Sequence, residues 1–257
     1  MSELPKTSLP LPALVTGSHY PTIPVNFKVA VAMRRQAQLL GVYPAYLLAP
    51  EISVLLAHLL DLRQLTFFEL LWNTGARPNE ALALCPEHVH LDDECGKPLE
   101  RPFIVLRTLK QRQRGRGRPK NGDTVNRLLP LMDRNFVVRL RQFMASFEVG
   151  KGKQLWPESY DTISRWLQRA IARAERNGVT FTIAVTPKTF RHSFAMHLLL
   201  NQVHPKFLQG YMGHRRAEST EVYTKILMLD VGLHAPVTFL VTDDVRDTAL
   251  TLLNNNI

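Results

Sequence analysis

Helical periodicity runs through almost the whole chain and breaks once, between residues 101 and 131. Two short apolar runs there, FIVLR (103–107) and NRLLPL (126–131), read as strands, and the stretch between them is polar and glycine-containing. On either side, apolar residues recur at the three- to four-residue spacing of helices. A single hairpin inserted into a helical chain predicts a mostly α fold with a small antiparallel β-sheet, an α+β architecture. Helices are expected at about 27–41, 50–60, 64–73, 78–84, 133–147, 159–177, 187–201, 204–211 and 219–228. Gly41 suits the end of the first, and Pro78 and Pro187 suit helix starts. Residues 1–25 hold many prolines and read as an extended arm. The end of the chain, DVRDTALTLLNNNI, is an amphipathic helix candidate whose apolar positions are Val245, Ala249, Leu252 and Leu253.

The stretch between the two strands is the most basic of the chain. From Arg107 to Lys120 there are seven basic residues (Arg107, Lys110, Arg112, Arg114, Arg116, Arg118, Lys120) and no acid. The formal net charge of the protein is +10. That balance favours a polyanionic partner, and a basic hairpin tip suits the phosphate backbone of nucleic acid. A solvated surface loop would need no such run.

Three further blocks carry candidate chemistry. In NTGARPNEALAL, Gly75 permits a tight turn and Pro78 opens a helix, so Arg77 sits at a helix N-terminus with Glu80 three residues on. A bidentate Arg77–Glu80 pair would fix the guanidinium; an ordinary surface ion pair is the plain alternative. In VTPKTFRHSFAMHLLL, Thr186 suits an N-cap, and Phe190, Phe194 and Leu198 form a core face. Lys188 and Arg191 share another face, suited to an oxyanion. His192 and His197 on that helix read as packing or hydrogen-bonding groups. In YMGHRRAESTEVYTKI, His214 follows a glycine turn, and Tyr223 lies nine residues later between Val222 and Ile226, which look like core. The tyrosine ring could be core as well. Its other reading is a nucleophile. A phenol with a pKa near 10 needs activation, and phosphoryl transfer needs its nonbridging oxygens stabilised by rigid guanidinium forks. Two arginines, lysines, a histidine and a tyrosine make a complete set for attack on a phosphodiester. A lysine can protonate the leaving 5′ oxygen. The sequence has no acidic cluster suited to Mg²⁺ and no GxxxxGK[ST].

These blocks, in this order, resemble the tyrosine recombinase (phage integrase) family over about 48–228. NTGARPNEAL resembles its first block, with Arg77 and Glu80. TPKTFRHSFAMHLL resembles the second, usually HxLRHxFAT, with Arg191, and LQGYMGHRRAESTEVYT the third, usually LGHxxxxTTxxYxH, with His214 and the nucleophile Tyr223. The resemblance implies the recombinase catalytic-domain fold and a site-specific recombinase acting through a 3′-phosphotyrosyl intermediate, without metal or ATP. Where the family pattern has the first histidine of the second block, this chain has Lys188, which would assist. The family's hairpin lysine corresponds to Lys120 in RPKNGDTVNRLLPL, with Lys110 as the second candidate. The division implied is an arm and single helix over 1–47, shorter than the family's core-binding domain, a catalytic domain over 48–235, and a tail over 236–257 that could dock on a neighbouring subunit. The resemblance is to short Xer-like members, plasmid multimer resolvases and fimbrial-switch enzymes. Expected partners are double-stranded DNA bearing a specific site, a homotetramer on paired sites and accessory DNA-binding proteins. The rivals are a type IB topoisomerase and a non-catalytic DNA-binding regulator of the same fold.

Cys85, His88, His90 and Cys95 fall within eleven residues, but CPEHVHLDDEC lacks paired zinc-ligand spacing and is expected to be a turn without metal. Two cysteines suit a reducing compartment, and no apolar run approaches the ~18 residues of a membrane span. A soluble cytoplasmic protein is expected.

Overall fold

A computed structural model describes residues 27–39, 44–107, 126–214 and 216–228. The arm 1–26, the loop residues Lys110, Arg112, Arg114, Arg116, Arg118 and Lys120, and the tail lie outside the described residues. The elements in order are α1 (Phe27–Leu39), α2 (Ala49–Ala57), α3 (Leu62–Thr74), α4 (Pro78–Leu82), a 3-10 turn (Pro86–His88), β1 (Val89–Asp92), β2 (Pro98–Arg107), β3 (Asn126–Pro130), α5 (Arg134–Phe147), α6 (Tyr160–Arg176), α7 (Pro187–Leu200), α8 (Pro205–Met212) and α9 (Glu218–Met228). This is the mostly helical fold with one small antiparallel sheet that the periodicity implies.

The helix limits follow from local chemistry. Asp61, Asp133 and Ser159 accept backbone N–H groups at the starts of α3, α5 and α6. Prolines stand in the first turns of α4, α7 and α8, where no N–H is missed. Gly75 and Gly213 end α3 and α8 in the left-handed conformation.

The sheet has three strands rather than two, in the order β1-β2-β3, antiparallel throughout. Strand β1 is the correction. Its four residues, VHLD, are too few to show alternation, and the segment read as a turn. A tight loop pairs it with β2: Asp93 N–H donates to the Lys97 carbonyl at 2.8 Å, and Asp93 Oδ1 accepts from the amides of Cys95 and Lys97. Strand β2 also begins earlier than FIVLR. Its prolines at 98 and 102 are accommodated because the register shifts between His90 and Asp92, where a residue without an N–H is tolerated. The β2–β3 ladder is regular, pairing Ile104 with Leu129 and Leu106 with Arg127.

Two apolar clusters hold the fold. The larger joins α2–α6 and the sheet around Phe67, Phe68, Phe143 and Trp156. The Phe143 and Trp156 rings are stacked at 4.9 Å, and Trp156 Nε1 donates to the Arg63 carbonyl. The second cluster joins α1, α7, α8 and α9 through Ala30, Ala37, Phe194, Leu199, Leu208, Met212, Tyr223 and Ile226. Helix α1 is fixed to it by a buried cation. Arg34 pairs with Glu51 at 2.5 and 2.8 Å and donates to the Tyr46 carbonyl and Thr182 Oγ1. Helix α1 therefore packs into the same body as α7 and α9.

The cysteine–histidine group holds no shared geometry. His88 Nδ1 accepts from the Cys85 amide, the His90 ring stacks on Phe103 at 4.5 Å, and Cys95 is exposed. No helix among the described residues is long and apolar enough to cross a membrane.

Candidate active site

Helix α7 is the spine of the site. Its buried face of Phe190, Phe194 and Leu198 packs it into the protein and thereby buries Arg191 at the junction of α3, α7 and α8. Arg191 spends its fork on backbone: Nη1 donates to the Gly75 carbonyl and Nη2 to the Met212 carbonyl, both at 2.5 Å. Each acceptor lies at the end of a helix, where carbonyls lack intrahelical partners. Both turns need glycine. Gly75 has φ +60°, and a Cβ there would run into the Phe194 ring; Gly213 has φ +61°, and a Cβ there would meet the Arg127 side chain. The glycines let Arg191 tie the first block to the third.

Arg77 caps the start of α4 and is the more exposed arginine. Its pair with Glu80 is not the bidentate fork expected. Arg77 Nη1 donates to Glu80 Oε1 at 2.7 Å, while Oε2 accepts the Arg77 backbone N–H at 3.0 Å. The reason is a third arginine that sequence reasoning missed. Arg127 of β3 donates through Nη2 to Glu80 Oε2 and through Nη1 to the Tyr211 carbonyl at 2.6 Å. Its signal was present as an isolated arginine in the apolar NRLLPL strand, where burial of one alternate position demands a partner. Burial, together with Arg77, makes protonation of Arg127 less favourable than usual.

Two guanidinium groups thus bond one buried carboxylate, and the charge of a third, Arg191, lies within its reach. Burial first, then the charges of Arg77 and Arg127, pull Arg191 down to about 9. Such a cluster gains by taking up an anion. An open cleft of about 600 Å³ between β3 and α8 leads to this edge and is lined by Arg127, Lys206, Phe207, Tyr211 and His214.

The tyrosine ring is core, buried in the second cluster, and its hydroxyl is not left without a partner: Tyr223 Oη lies 2.8 Å from His192 Nδ1. Burial raises the phenol above its usual value, against the opposing pull of Arg191 and Arg77. His214 lies nearly parallel to the Tyr223 ring, 2° between planes with centroids 6.4 Å apart, and its Nδ1 bonds Thr220 Oγ1 at 2.9 Å. Burial, then Arg191 and the other arginines, lowers His214 to about 4, so the ring is neutral at pH 7. His197 packs on Trp72 at 4.9 Å.

The structure therefore brings Arg77, Glu80, Arg191, His214 and Tyr223 together and adds Arg127 and His192. Lys188 lies exposed in the first turn of α7, and its charge reaches His192. Arg107 ends β2, exposed, where the chain enters the basic loop.

A family model described as the phage integrase family matches residues 46–229. The chain is 41% identical over 225 residues to an Escherichia coli protein described as "Probable site-specific recombinase in afa region", covering 88% of this chain and 87% of that one. It is 38% identical over 251 residues to a resolvase of Escherichia coli strain K12, covering 91% of each. Among solved structures, the XerA recombinase aligns with TM-score 0.57 at 22% identity, over 76% of this chain and 67% of that one. A post-cleavage complex of the XerH recombinase with palindromic difH aligns with TM-score 0.56 at 19% identity, over 73% and 52%. These two likenesses concern the fold.

Proposed function

The chain belongs to the phage integrase family and is a site-specific recombinase; we propose that it cuts and rejoins DNA through a 3′-phosphotyrosyl intermediate on Tyr223. The observation that supports this reading is a buried tyrosine reached by the charges of Arg191 and Arg77 and faced by the parallel His214 ring, with a single buried carboxylate beside the arginines. Tyr223 Oη forms a bond to the scissile phosphorus as the bond to the 5′ oxygen breaks. The leaving oxygen takes its proton from Lys120, or from Lys110. Arg77 and Arg191 hold the nonbridging oxygens. With Thr220 donating to His214 Nδ1, the ring proton sits on Nε2 and donates to the same phosphate. Lys188 adds positive charge beside α7, and Glu80 positions Arg77. A 5′-hydroxyl from the partner strand then gives its proton to the hairpin lysine, attacks the phosphotyrosine and releases Tyr223. The ester conserves the energy of the broken bond, so the reaction needs no metal and no ATP.

The partner is double-stranded DNA bearing a recombination site, bound by a homotetramer on two paired sites in the cytoplasm, with accessory DNA-binding proteins as further partners. Resolution, integration or inversion of plasmid or mobile DNA then depends on the arrangement of sites. Residues 236–257 would link protomers. A topoisomerase would perform the same cleavage on one duplex; the recombinase and resolvase descriptions of the relatives favour exchange between two. The test is strand transfer between two differently labelled duplexes carrying the site. Exchange products support the proposal, and relaxation without exchange would sink it.

Two expected results refine it. Lys120→Ala should slow cleavage by about 10²- to 10⁴-fold while binding holds, and a 5′-thio leaving group, which needs little protonation, should restore the rate. Rescue of Lys110→Ala instead assigns the acid to Lys110. Replacing three of Arg112, Arg114, Arg116 and Arg118 by Ala should weaken binding to all sequences alike. The slope of log affinity against log salt should then fall by roughly 0.9 per lost phosphate contact. An unchanged slope with altered sequence preference would mean the loop reads bases.

A further inference from the structure

The recombinase reading leaves one proton without a destination. Tyr223 must lose its hydroxyl hydrogen when Oη bonds to phosphorus; the groups assigned above to the phosphate and the leaving oxygen all donate, and the Glu80 carboxylate is engaged by Arg77 and Arg127. Arginines carry donors and no acceptor, and so does a lysine ammonium. Lys188 is such a group, at the position where the family pattern has an imidazole. His214 has Nδ1 engaged by Thr220, and its ring lies parallel to the tyrosine ring.

His192 is placed differently. It follows Arg191 directly on α7, is half-buried, and holds Nδ1 at 2.8 Å from Tyr223 Oη. The two rings are tilted by 42° with centroids 5.9 Å apart, so the contact runs from ring nitrogen to hydroxyl. We propose that His192 is the general base of this enzyme: its Nδ1 takes the Tyr223 proton as Oη attacks the scissile phosphate. This rests on the phosphotyrosyl reading above and supplies the step that reading lacks. One bond forms, from Oη to phosphorus; one breaks, from phosphorus to the 5′ oxygen. The phenol proton goes to His192, and the hairpin lysine gives its own to the leaving oxygen. In rejoining, the His192 imidazolium returns the proton to Tyr223 as the ester breaks.

The electrostatics make this base depend on DNA. Burial, then the charges of Arg191 and Lys188, hold His192 down to about 4. The charged or titratable groups facing it are Lys188 and Arg191 on its own helix, Tyr223 from α9 and His214 from the turn after α8. Without DNA the imidazole is neutral and able to accept, but a weak base. A phosphate bound against Arg191 offsets the cation that suppresses it and raises its proton affinity. The phenol acidifies as its oxygen bonds to phosphorus, so transfer proceeds in concert with attack.

His192→Asn tests this. The asparagine oxygen can still accept the Tyr223 hydroxyl hydrogen bond but cannot take its proton. Covalent trapping on a nicked suicide duplex is measured from pH 6 to pH 9, with binding followed in parallel. Binding should hold, and the trapping rate near pH 7 should fall by about 10²- to 10⁴-fold. The loss should shrink as pH rises and hydroxide takes over the proton. Placing 3,5-difluorotyrosine at position 223, a more acidic phenol, should restore the variant much more than it speeds the protein that keeps His192. An Asn variant trapping at the unmodified rate, or a loss independent of pH and of fluorination, overturns the assignment and leaves His192 a positioning residue. If the variant does not fold, the two phenols are compared in the unmodified protein: a rate that rises about tenfold per pH unit up to the tyrosine's own ionisation overturns the proposal, and a plateau below it supports the base. Failure of the underlying reading looks different: the unmodified protein would trap no DNA, or Tyr223→Phe would still trap it.

Discussion

Tyr223→Phe is expected to bind DNA as the unmodified protein does and to form no covalent adduct with a nicked suicide duplex. The two halves of that expectation come from the two halves of the side chain. The ring belongs to the apolar cluster of α1, α7, α8 and α9, beside Ile226 and Met212, and phenylalanine keeps it there. The hydroxyl contributes one hydrogen bond, to His192, a half-buried partner. Losing it costs about 1–3 kcal/mol at most, a fall in Tm of roughly 2–12 °C for a domain of this size. The fold and the arginine cluster should therefore survive while the nucleophile is gone. Arg77, Arg127 and Arg191 keep their partners, so phosphate affinity should not fall. A Phe variant that still traps DNA places the nucleophile elsewhere. A variant that loses binding along with trapping shows that the hydroxyl holds the cluster together.

The same residue shows where sequence reasoning runs out. The spacing from Gly213-His214 to Tyr223 marks the tyrosine, and periodicity gives α9 to within a residue. Neither says what the hydroxyl touches. His192 read as an ordinary polar group on α7, because its significance lies in α9, 31 residues away. Arg127 was hidden in the same way. It sits in a strand that was read correctly, but its partners, Glu80 and the Tyr211 carbonyl, lie 47 and 84 residues off. Local pattern reveals which residues face a core; it does not reveal which buried charges meet. Helix starts were legible where the signal is local, as at Pro78 and Pro187. Strand β1 was not, because a four-residue strand with no alternation exists only through its partner.

The position of α1 was also invisible to pattern. Arg34 fixes it, since its guanidinium is buried among Glu51, the Tyr46 carbonyl and Thr182. Removing that helix would strand Glu51 and expose part of the cluster that seats Tyr223. Helix α9, which carries Tyr223, thus depends for its packing on a segment that lies ahead of the matched family region.

Glu80→Ala is expected to be the most destabilising single change in the site and to abolish cleavage as well. Glu80 is almost fully buried, with a side chain 1% exposed, and it accepts from Arg77 twice and from Arg127 once. Arg127 is buried nearly as deeply, at 5%, and its Nε has no hydrogen-bond partner among the described residues. Deleting the carboxylate leaves a buried cation beside two others. Breaking such a pair costs about 3–5 kcal/mol, or roughly 6–20 °C in Tm for a domain of this size. Arg77 is partly exposed, so its share of that loss is small and its role is orientation. Stability and catalysis can then be separated with a double variant. Glu80→Gln alone sets an amide donor against a guanidinium donor and should be nearly as damaging as alanine. Glu80→Gln with Arg127→Met removes the stranded charge and fills its volume, so much of the stability should return, giving a coupling of at least about 1 kcal/mol in a double-mutant cycle. Cleavage should not return, because Arg77 still lacks the carboxylate that aims it. Thermal denaturation and suicide-substrate trapping on the four proteins read the two effects. If the double variant is as unstable as the sum of its parts, Arg127 and Glu80 are not a coupled pair. If it regains cleavage, Arg77 holds its place at the phosphate without Glu80, and the carboxylate serves the fold alone.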